Sequence, residues 1–324
     1  MVQVAAVILT YNRRDLVQRC LAAVLGQTRP CDRVMVIDNA SADDTLEVLK
    51  AFASAGVDVH SLPKNLGAAG GFNAGMHLGH QTGADFVWVM DDDVIAAPDA
   101  LAELLQAYEV LDGAGVEAPF VISTARSPQG LMTNTPEVDR RSNALHYENW
   151  PHLLSHGLVP VSRSTFVSVL FARRTIDRHG LPFAAMFIWG EDFEYTLRVT
   201  RDAPGYMVGR SQVEHVRAVA GMLDIRTEHD RQRIAWHRFQ VRNNIYTSRR
   251  YARRRETVKH TLRVGWLALR LTWAGQLRKA WTVATGIMLG LVFSPESHVA
   301  MTEPSATSAA AIKKPEPDKV VRKS

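Results

Sequence analysis

Residues 86–93 read FVWVMDDD. Five apolar residues follow one another without a break and then stop in three adjacent carboxylates, Asp91, Asp92 and Asp93. An unbroken apolar run of strand length fits a strand buried on both faces, as in a parallel sheet covered by helices. The flanking sequence repeats the theme. Residues 4–9 (VAAVIL), 33–38 (RVMVID) and 57–62 (VDVHSL) read as further strands. Between them, residues 13–25 place Leu16, Cys20, Leu21 and Val24 at helical spacing. Ser41, with Asp44 three positions on, resembles a capping box that opens a second helix. A third helix is expected over residues 69–80, and Pro98 suits the first turn of a fourth. This alternation predicts an α/β fold, a mostly parallel sheet flanked by helices. Ligands of such sheets lie outside the carboxyl ends of the strands. Three of the expected strands end there in polar residues: TYNR after the first, DNAS after the second and DDD after the fourth.

The 324 residues are 46% hydrophobic and 22% charged, a globular composition. Cys20 and Cys31 form no disulfide framework and no metal-ligand spacing, which fits a reducing, cytoplasmic compartment. The apolar run of residues 4–9 is too short for a signal peptide. The net charge of +5 is unevenly spread: residues 226–280 hold 15 Lys and Arg against 3 Asp and Glu, so the remainder is acidic. A basic block of this size asks for an anionic neighbour, unless it is simply a solvated helical face. We divide the chain into an α/β segment, residues 1–225, a basic helical segment, 226–296, and a Pro/Ser/Ala/Lys-rich tail, 297–324, expected to be disordered. Residues 123–160 read as a long surface excursion, STFVSVLF (164–171) as a strand and RRTIDRHG (173–180) as a short helix.

Within the basic segment, Leu262, Trp266, Leu269, Trp273, Leu277, Trp281, Ala284 and Met288 step by four and three along one helical stripe. The uncharged stretch 280–295 is too short to span a bilayer. A basic, Trp-bearing amphipathic helix reads as one lying on a membrane surface, peripheral on the inner face of the cell membrane. Packing on the α/β segment or in a homo-oligomer would use the same stripe. Nucleic acid is not the expected partner. No nucleic-acid motif is present, and Trp236, Phe239, Trp266 and Trp273 sit at helical core spacing instead of forming a stacking platform.

The chemistry-bearing residues fall in four places. Strand alternation puts Asp91 and Asp93 on one side and Asp92 on the other. Two carboxylates at a strand end suit Mg²⁺ or Mn²⁺, which take their remaining ligands from substrate phosphates; a solvated acidic turn before the next helix is the plainer alternative, and Asp99 already serves that helix. Second, NLGAAGGFNAG (65–75) has four glycines, among them Gly70 and Gly71, before a helix. Glycine lets backbone approach a phosphate-bearing ligand closely, or lets a helix press on the sheet. The stretch is neither a dinucleotide fingerprint nor a P-loop, which counts against an oxidoreductase or an ATPase. A sugar nucleotidyltransferase would want a glycine-rich triphosphate loop, and LTYNRRDL (9–16) lacks glycine. Third, IWGEDFEY (188–195) gathers Glu191, Asp192 and Glu194 at a helix start, as dipole-favoured caps or as a general base. Last, His215 closes a strand-like segment and gains weight only beside a metal.

The ordered set ILTYNR, VIDNAS, NLGAAGGFNAG, DDD, GED and a later His resembles the family 2 glycosyltransferases of the GT-A fold, over roughly residues 3–250. VMDDDVIAAPDAL, FIWGEDFEY and His215 are most similar to galactofuranosyltransferases of bacterial cell-envelope assembly, with rhamnosyltransferases close. The resemblance implies a donor, UDP-galactofuranose or, for a rhamnosyltransferase, dTDP-rhamnose, and a lipid-linked or glycan acceptor. It implies Mn²⁺ or Mg²⁺ held by Asp91, Asp93 and His215, with Asp92 touching the donor. It matches Thr10, Asn12, Arg13, Asp38 and Asn65 to the nucleotide pocket, and Asp192 to the base of an inverting, single-displacement reaction. FEYTLR follows the acids where relatives carry other runs, and the spacing after Trp189–Gly190 leaves the base between Glu191 and Asp192.

Overall fold

The computed structural model describes residues 2–217 and 223–296. Its first half follows the expected alternation. The order is β1 (Val4–Thr10), α1 (Arg14–Leu25), β2 (Arg33–Asp38), α2 (Thr45–Phe52), β3 (Val57–Ser61), α3 (Gly67–Gln81), β4 (Phe86–Asp91), β5 (Val94–Ala96) and α4 (Ala100–Gly113). Then come β6 (Phe120–Arg126), β7 (Glu137–Val138), β8 (Leu158–Arg163), β9 (Val169–Ala172), α5 (Arg173–His179), α6 (Glu191–Val199) and β10 (Gly205–His215). Three helices close the described chain: α7 (Arg231–Tyr251), α8 (Arg254–Trp273) and α9 (Leu277–Val292). The tail expected at 297–324 lies outside the described residues.

One sheet runs in the order β3-β2-β1-β4-β9-β6-β10-β8-β7, with β5 paired to β10. Pairing is parallel from β3 to β4 and between β6 and β10. It is antiparallel where β9 inserts between β4 and β6, and at β5, β7 and β8. The sheet is therefore parallel at one end and mixed at the other. β4 explains its own composition. Trp88 and Met90 join the core under α1 and α4, while Val87 and Val89 join the core under α3. Both faces are covered, so no position of the run can be polar.

Register sets the functional edge. Thr10 pairs with Asp38 and Leu9 with Asp91, so the polar ends of β1, β2 and β4 lie side by side. The glycines of α3 bring that helix down on β1. A Cβ at Gly71 would lie 2.3 Å from Leu9 Cδ1, and one at Gly75 would lie 2.5 Å from Val7 Cγ1.

Several local expectations shift. α2 starts at Thr45, because the Ser41 hydroxyl accepts the Asn12 N–H instead of capping a helix. α4 starts at Ala100, one residue past Asp99. Ser168 has φ 55°, so the strand expected from 164 begins only at Val169. The single C-terminal stripe is two helices, broken at Gly275 with φ 70°. Among the described residues no helix is long and apolar enough to cross a membrane.

Candidate active site

A cleft of about 430 Å³ opens at the polar strand ends. Its wall includes Thr10, Arg13, Asn65, Asp91, Asp92, Asp93, Glu191, Asp192 and His215. Residues from five separated segments of the sequence thus meet in one place.

The carboxylate triplet is compensated by Arg13, which follows the β1 end. Its Nη1 lies 2.6 Å from Asp93 Oδ2 and 3.2 Å from Asp92 Oδ1. Thr10 Oγ1 also donates to Asp92 Oδ2 at 2.7 Å. The alternation expected of Asp91, Asp92 and Asp93 is corrected here. β4 stops at Asp91, and the next two residues form a turn, so Asp92 and Asp93 share one guanidinium. One cation for three carboxylates leaves a deficit. Burial, together with the charges of Asp93 and Asp92, holds Asp91 well above the ordinary carboxylate range. Burial also pushes Asp92 up to about 7, against the pull of Arg13. Burial opposes the charge on Asp93 too, but His215 and Arg13 hold it below the usual value.

His215 arrives from far along the chain because β5, which directly follows the acids, pairs with the end of β10. His215 stands opposite Val94, and Val216 N donates to Asp93 O at 2.8 Å. Asn134, carried by the excursion between β6 and β8, fixes the ring. Its Nδ2 donates to Thr165 Oγ1, so its Oδ1 faces His215 Nδ1 at 2.9 Å and takes the proton there. Nε2 faces Asp93 Oδ1, a buried oxygen with no other hydrogen-bond partner, at 3.1 Å: with a proton it pairs with that carboxylate, and without one it leaves a lone pair there. Without that proton the two acceptors suit a divalent cation, and the Asn134 amide oxygen holds the far ring nitrogen in place, as a hydrogen-bond acceptor does at metal-bound histidines. Among the described residues no group of three His, Cys, Asp or Glu is gathered as an ion site. An ion that draws ligands from substrate phosphates needs only one or two carboxylates from protein, so Asp93 and His215 fit one.

The acids of α6 separate by environment. Glu194 is buried, takes both Arg198 Nε (3.0 Å) and Nη2 (3.1 Å), and accepts the Tyr251 hydroxyl, so it is a structural ion pair. Glu191 is buried with Oε2 unpartnered, and burial plus the neighbouring Asp192 charge raise it well above its ordinary value. Asp192 is half-buried at the cleft wall. Burial lifts it to about 6, while backbone N–H groups of the helix start and Arg163 pull the other way. That value suits a group exchanging protons near neutrality.

The remaining expected donor residues divide. Asn65 lines the cleft and accepts the Gly67 N–H at 2.7 Å. Asn12 accepts from Ala42 N, and buried Asp38 accepts from Ser41 N, so both shape the strand-end turns behind the wall. Gly70 and Gly71 are not among the residues that line the cleft, and both pack closely. A Cβ at Gly70 would strike Leu66, and one at Gly71 would strike Leu9. α7 supplies wall residues that sequence reasoning missed, namely Arg233, Trp236, Gln240 and Asn244. Trp236 packs edge-on to Trp189 at 6.0 Å, and Arg233 lies over the Trp189 ring at 5.4 Å. The available signal was the Asn pair in an otherwise basic and aromatic helix.

Residues 5–154 match the sequence model of glycosyl transferase family 2. The chain is 29% identical over 210 residues to galactofuranosyltransferase GlfT1 of Mycolicibacterium smegmatis, covering 61% of this chain and 65% of that one. It is 33% identical over 208 residues to GlfT1 of Mycobacterium tuberculosis, covering 61% and 64%. It is 32% identical over 193 residues to succinoglycan biosynthesis protein ExoO of Rhizobium meliloti, covering 59% and 53%. The chain therefore spans less than two thirds of the length of these curated relatives. The fold is similar to GalNAc-T7 solved with UDP, GalNAc and Mn²⁺, with TM-score 0.55 and 13% identity over 77% of this chain and 48% of that one. It is also similar to residues 1–349 of S. aureus TarS, with TM-score 0.51 and 14% identity over 89% of both chains. The architecture is the GT-A fold.

Proposed function

We propose that residues 5–154, which match the glycosyl transferase family 2 model, belong to a glycosyltransferase whose cleft transfers a sugar from a nucleoside-diphosphate donor to an acceptor hydroxyl with inversion. The observation that carries this is the meeting of half-buried Asp192, lifted to about 6, with the Asp93–His215 pair in one cleft. Asp192 takes the acceptor proton as the acceptor oxygen bonds to the anomeric carbon. The bond from that carbon to the diphosphate oxygen breaks, and the nucleoside diphosphate leaves with the electron pair. Trp189 and Trp236 offer the acceptor side an aromatic corner. Asp93 and His215, with Asp91 beside them, are the residues that would hold Mn²⁺ or Mg²⁺. When bound, such an ion neutralises charge on the departing diphosphate. Galactofuranose from UDP-galactofuranose is the donor favoured by the likeness to GlfT1. The proposed acceptor is a lipid-linked cell-envelope glycan, supported by the exposed Trp266, Trp273 and Trp281 on α8 and α9.

Nucleoside-diphosphate release across a panel of donors, with Mn²⁺ or EDTA, tests the reading. Asp192→Asn is expected to lower turnover about 10²–10⁴-fold with unchanged circular dichroism. Near-normal turnover by that variant removes Asp192 from the base role. Activity indifferent to EDTA removes Asp93 and His215 from metal binding.

A further inference from the structure

The segment 185–190 that delivers the α6 acids is an unusual piece of backbone. Phe187 sits at φ 62° and ψ −68°, with Ile188 N donating to Met186 O at 2.8 Å across a tight turn. Trp189 has φ 60° and Gly190 φ 117°. Left-handed conformations at bulky residues persist only where the surroundings impose them. Here two elements do so. On one side Ala69 N, in the first turn of α3, donates to Phe187 O at 2.9 Å. On the other, fully buried Asn243 of α7 turns its Nδ2 to three carbonyls, Met186 O (2.9 Å), Ile188 O (3.2 Å) and Trp189 O (3.0 Å). Arg242 sets the amide the right way round. Its Nε donates to Asn243 Oδ1 at 3.0 Å, and its Nη2 donates to Ala185 O (2.8 Å) and Met186 O (2.9 Å). A flipped amide would set oxygen against three carbonyl oxygens. Gly190 completes the fit, since a Cβ there would lie 3.0 Å from Asn243 Cβ.

We propose that Asn243, oriented by Arg242, is a positioning residue that sets Asp192 and Trp189 in the cleft by holding the 186–190 turn through its side-chain amide. This rests on the reading of Asp192 as the base. Asn243 does not line the cleft, so it acts through the turn and not on substrate. Its loss should misplace the base while leaving the nucleotide side intact, since Thr10, Arg13 and Asn65 belong to other elements.

The test compares full-length wild type, Asn243→Ala, Arg242→Lys and Asp192→Asn. UDP with Mn²⁺ is titrated for affinity, turnover is measured on the active donor–acceptor pair, and hydrogen exchange is followed by mass spectrometry. For Asn243→Ala we expect kcat at least 30-fold lower, UDP affinity within threefold of wild type, and exchange at least tenfold faster for amides of residues 186–192 but not of β1 or β4. Arg242→Lys keeps the cation but loses the fork whose Nε and Nη2 serve Asn243 Oδ1 and the 185–186 carbonyls together. It should show the same pattern more weakly, and it serves if Asn243→Ala does not fold. Unchanged exchange at 186–192, or kcat within threefold of wild type while Asp192→Asn is inactive, overturns the proposal. So does a parallel loss of kcat, UDP affinity and β1 protection, which marks a merely structural residue. An active Asp192→Asn would instead sink the base assignment, and the exchange pattern would still decide whether Asn243 holds the turn.

Discussion

Asp192 stands where two requirements conflict, and its environment shows how the residue scale resolves them. Burial raises it to about 6, whereas Arg163 and the N–H groups at the start of α6 favour its charged form. A base must be deprotonated to act. Turnover should therefore rise with pH through about 6 and fall roughly tenfold per pH unit below it, as a pH–kcat profile would show. Charged groups that act on Asp192 include Glu191, Asp91 and Arg163. Removing that cation, Arg163→Gln, should move the acid limb to higher pH; a limb that stays in place would mean that Arg163 does not reach the base electrostatically. The same shift has a stability sign. A carboxyl whose folded value lies above its unfolded value is stabilised in the fold only when protonated, and that contribution is lost as pH rises through about 6. At pH 8 Asp192→Asn should thus be more stable than wild type, by about 1–2 kcal/mol in urea unfolding, because it removes a half-buried charge that the fold tolerates for chemistry.

Among the elements, α3 shows why one stretch of sequence admits two readings. Its glycines can admit a ligand or a neighbouring strand, and residue type alone does not choose. The structure chooses the strand for Gly71 and Gly75, which face Leu9, Val7 and Ile37. Gly75→Ala should cost about 1–3 kcal/mol by overpacking, read as a lower urea midpoint at constant m-value. A variant as stable as wild type would show that α3 can lift off β1 freely. The strands β1, β2 and β4 were legible because an unbroken apolar run carries its own reason for burial on two faces. The convergence of Thr10, Asp91 and Asp93 followed from where those runs end. The start of α2 was not legible, since the partner of Ser41 is Asn12 across a turn. Nor was the insertion of antiparallel β9 between β4 and β6, because a short apolar strand carries no mark of its direction. Asn243 was hidden most deeply. Its carbonyl partners lie 54 to 57 residues earlier, and an asparagine in a basic helix announces no contact of that range.

At the scale of the whole molecule, the basic segment has one face inward and one face bare. α9 is pressed on α7 through Gly286 and Gly290, where added Cβ atoms would lie 2.7 Å from Val241 Cβ and 2.8 Å from Ile245 Cβ. That contact turns the other side of α8 and α9 outward. Trp266 is 51% exposed, Trp273 73% and Trp281 67%, with Leu262, Leu269 and Leu277 in the same stripe. Exposed Arg263, Arg270 and Arg278 accompany them. An apolar stripe bordered by cations, on helices too short and too charged to span, suits the interface of an anionic bilayer. We expect the full chain to float with vesicles containing phosphatidylglycerol and to bind phosphatidylcholine vesicles far less, with binding weakened by salt as surface attraction is screened. Each tryptophan carries large apolar area, so Trp266→Ser combined with Trp281→Ser should reduce the bound fraction at least tenfold at about 1.5–3 kcal/mol per fully buried side chain. UDP affinity should be unchanged, because neither residue lines the cleft. Equal binding to both vesicle types would remove the preference for anionic lipid, and a dimer in sedimentation that the same substitutions dissolve would assign the stripe to a second copy of the chain instead of a membrane.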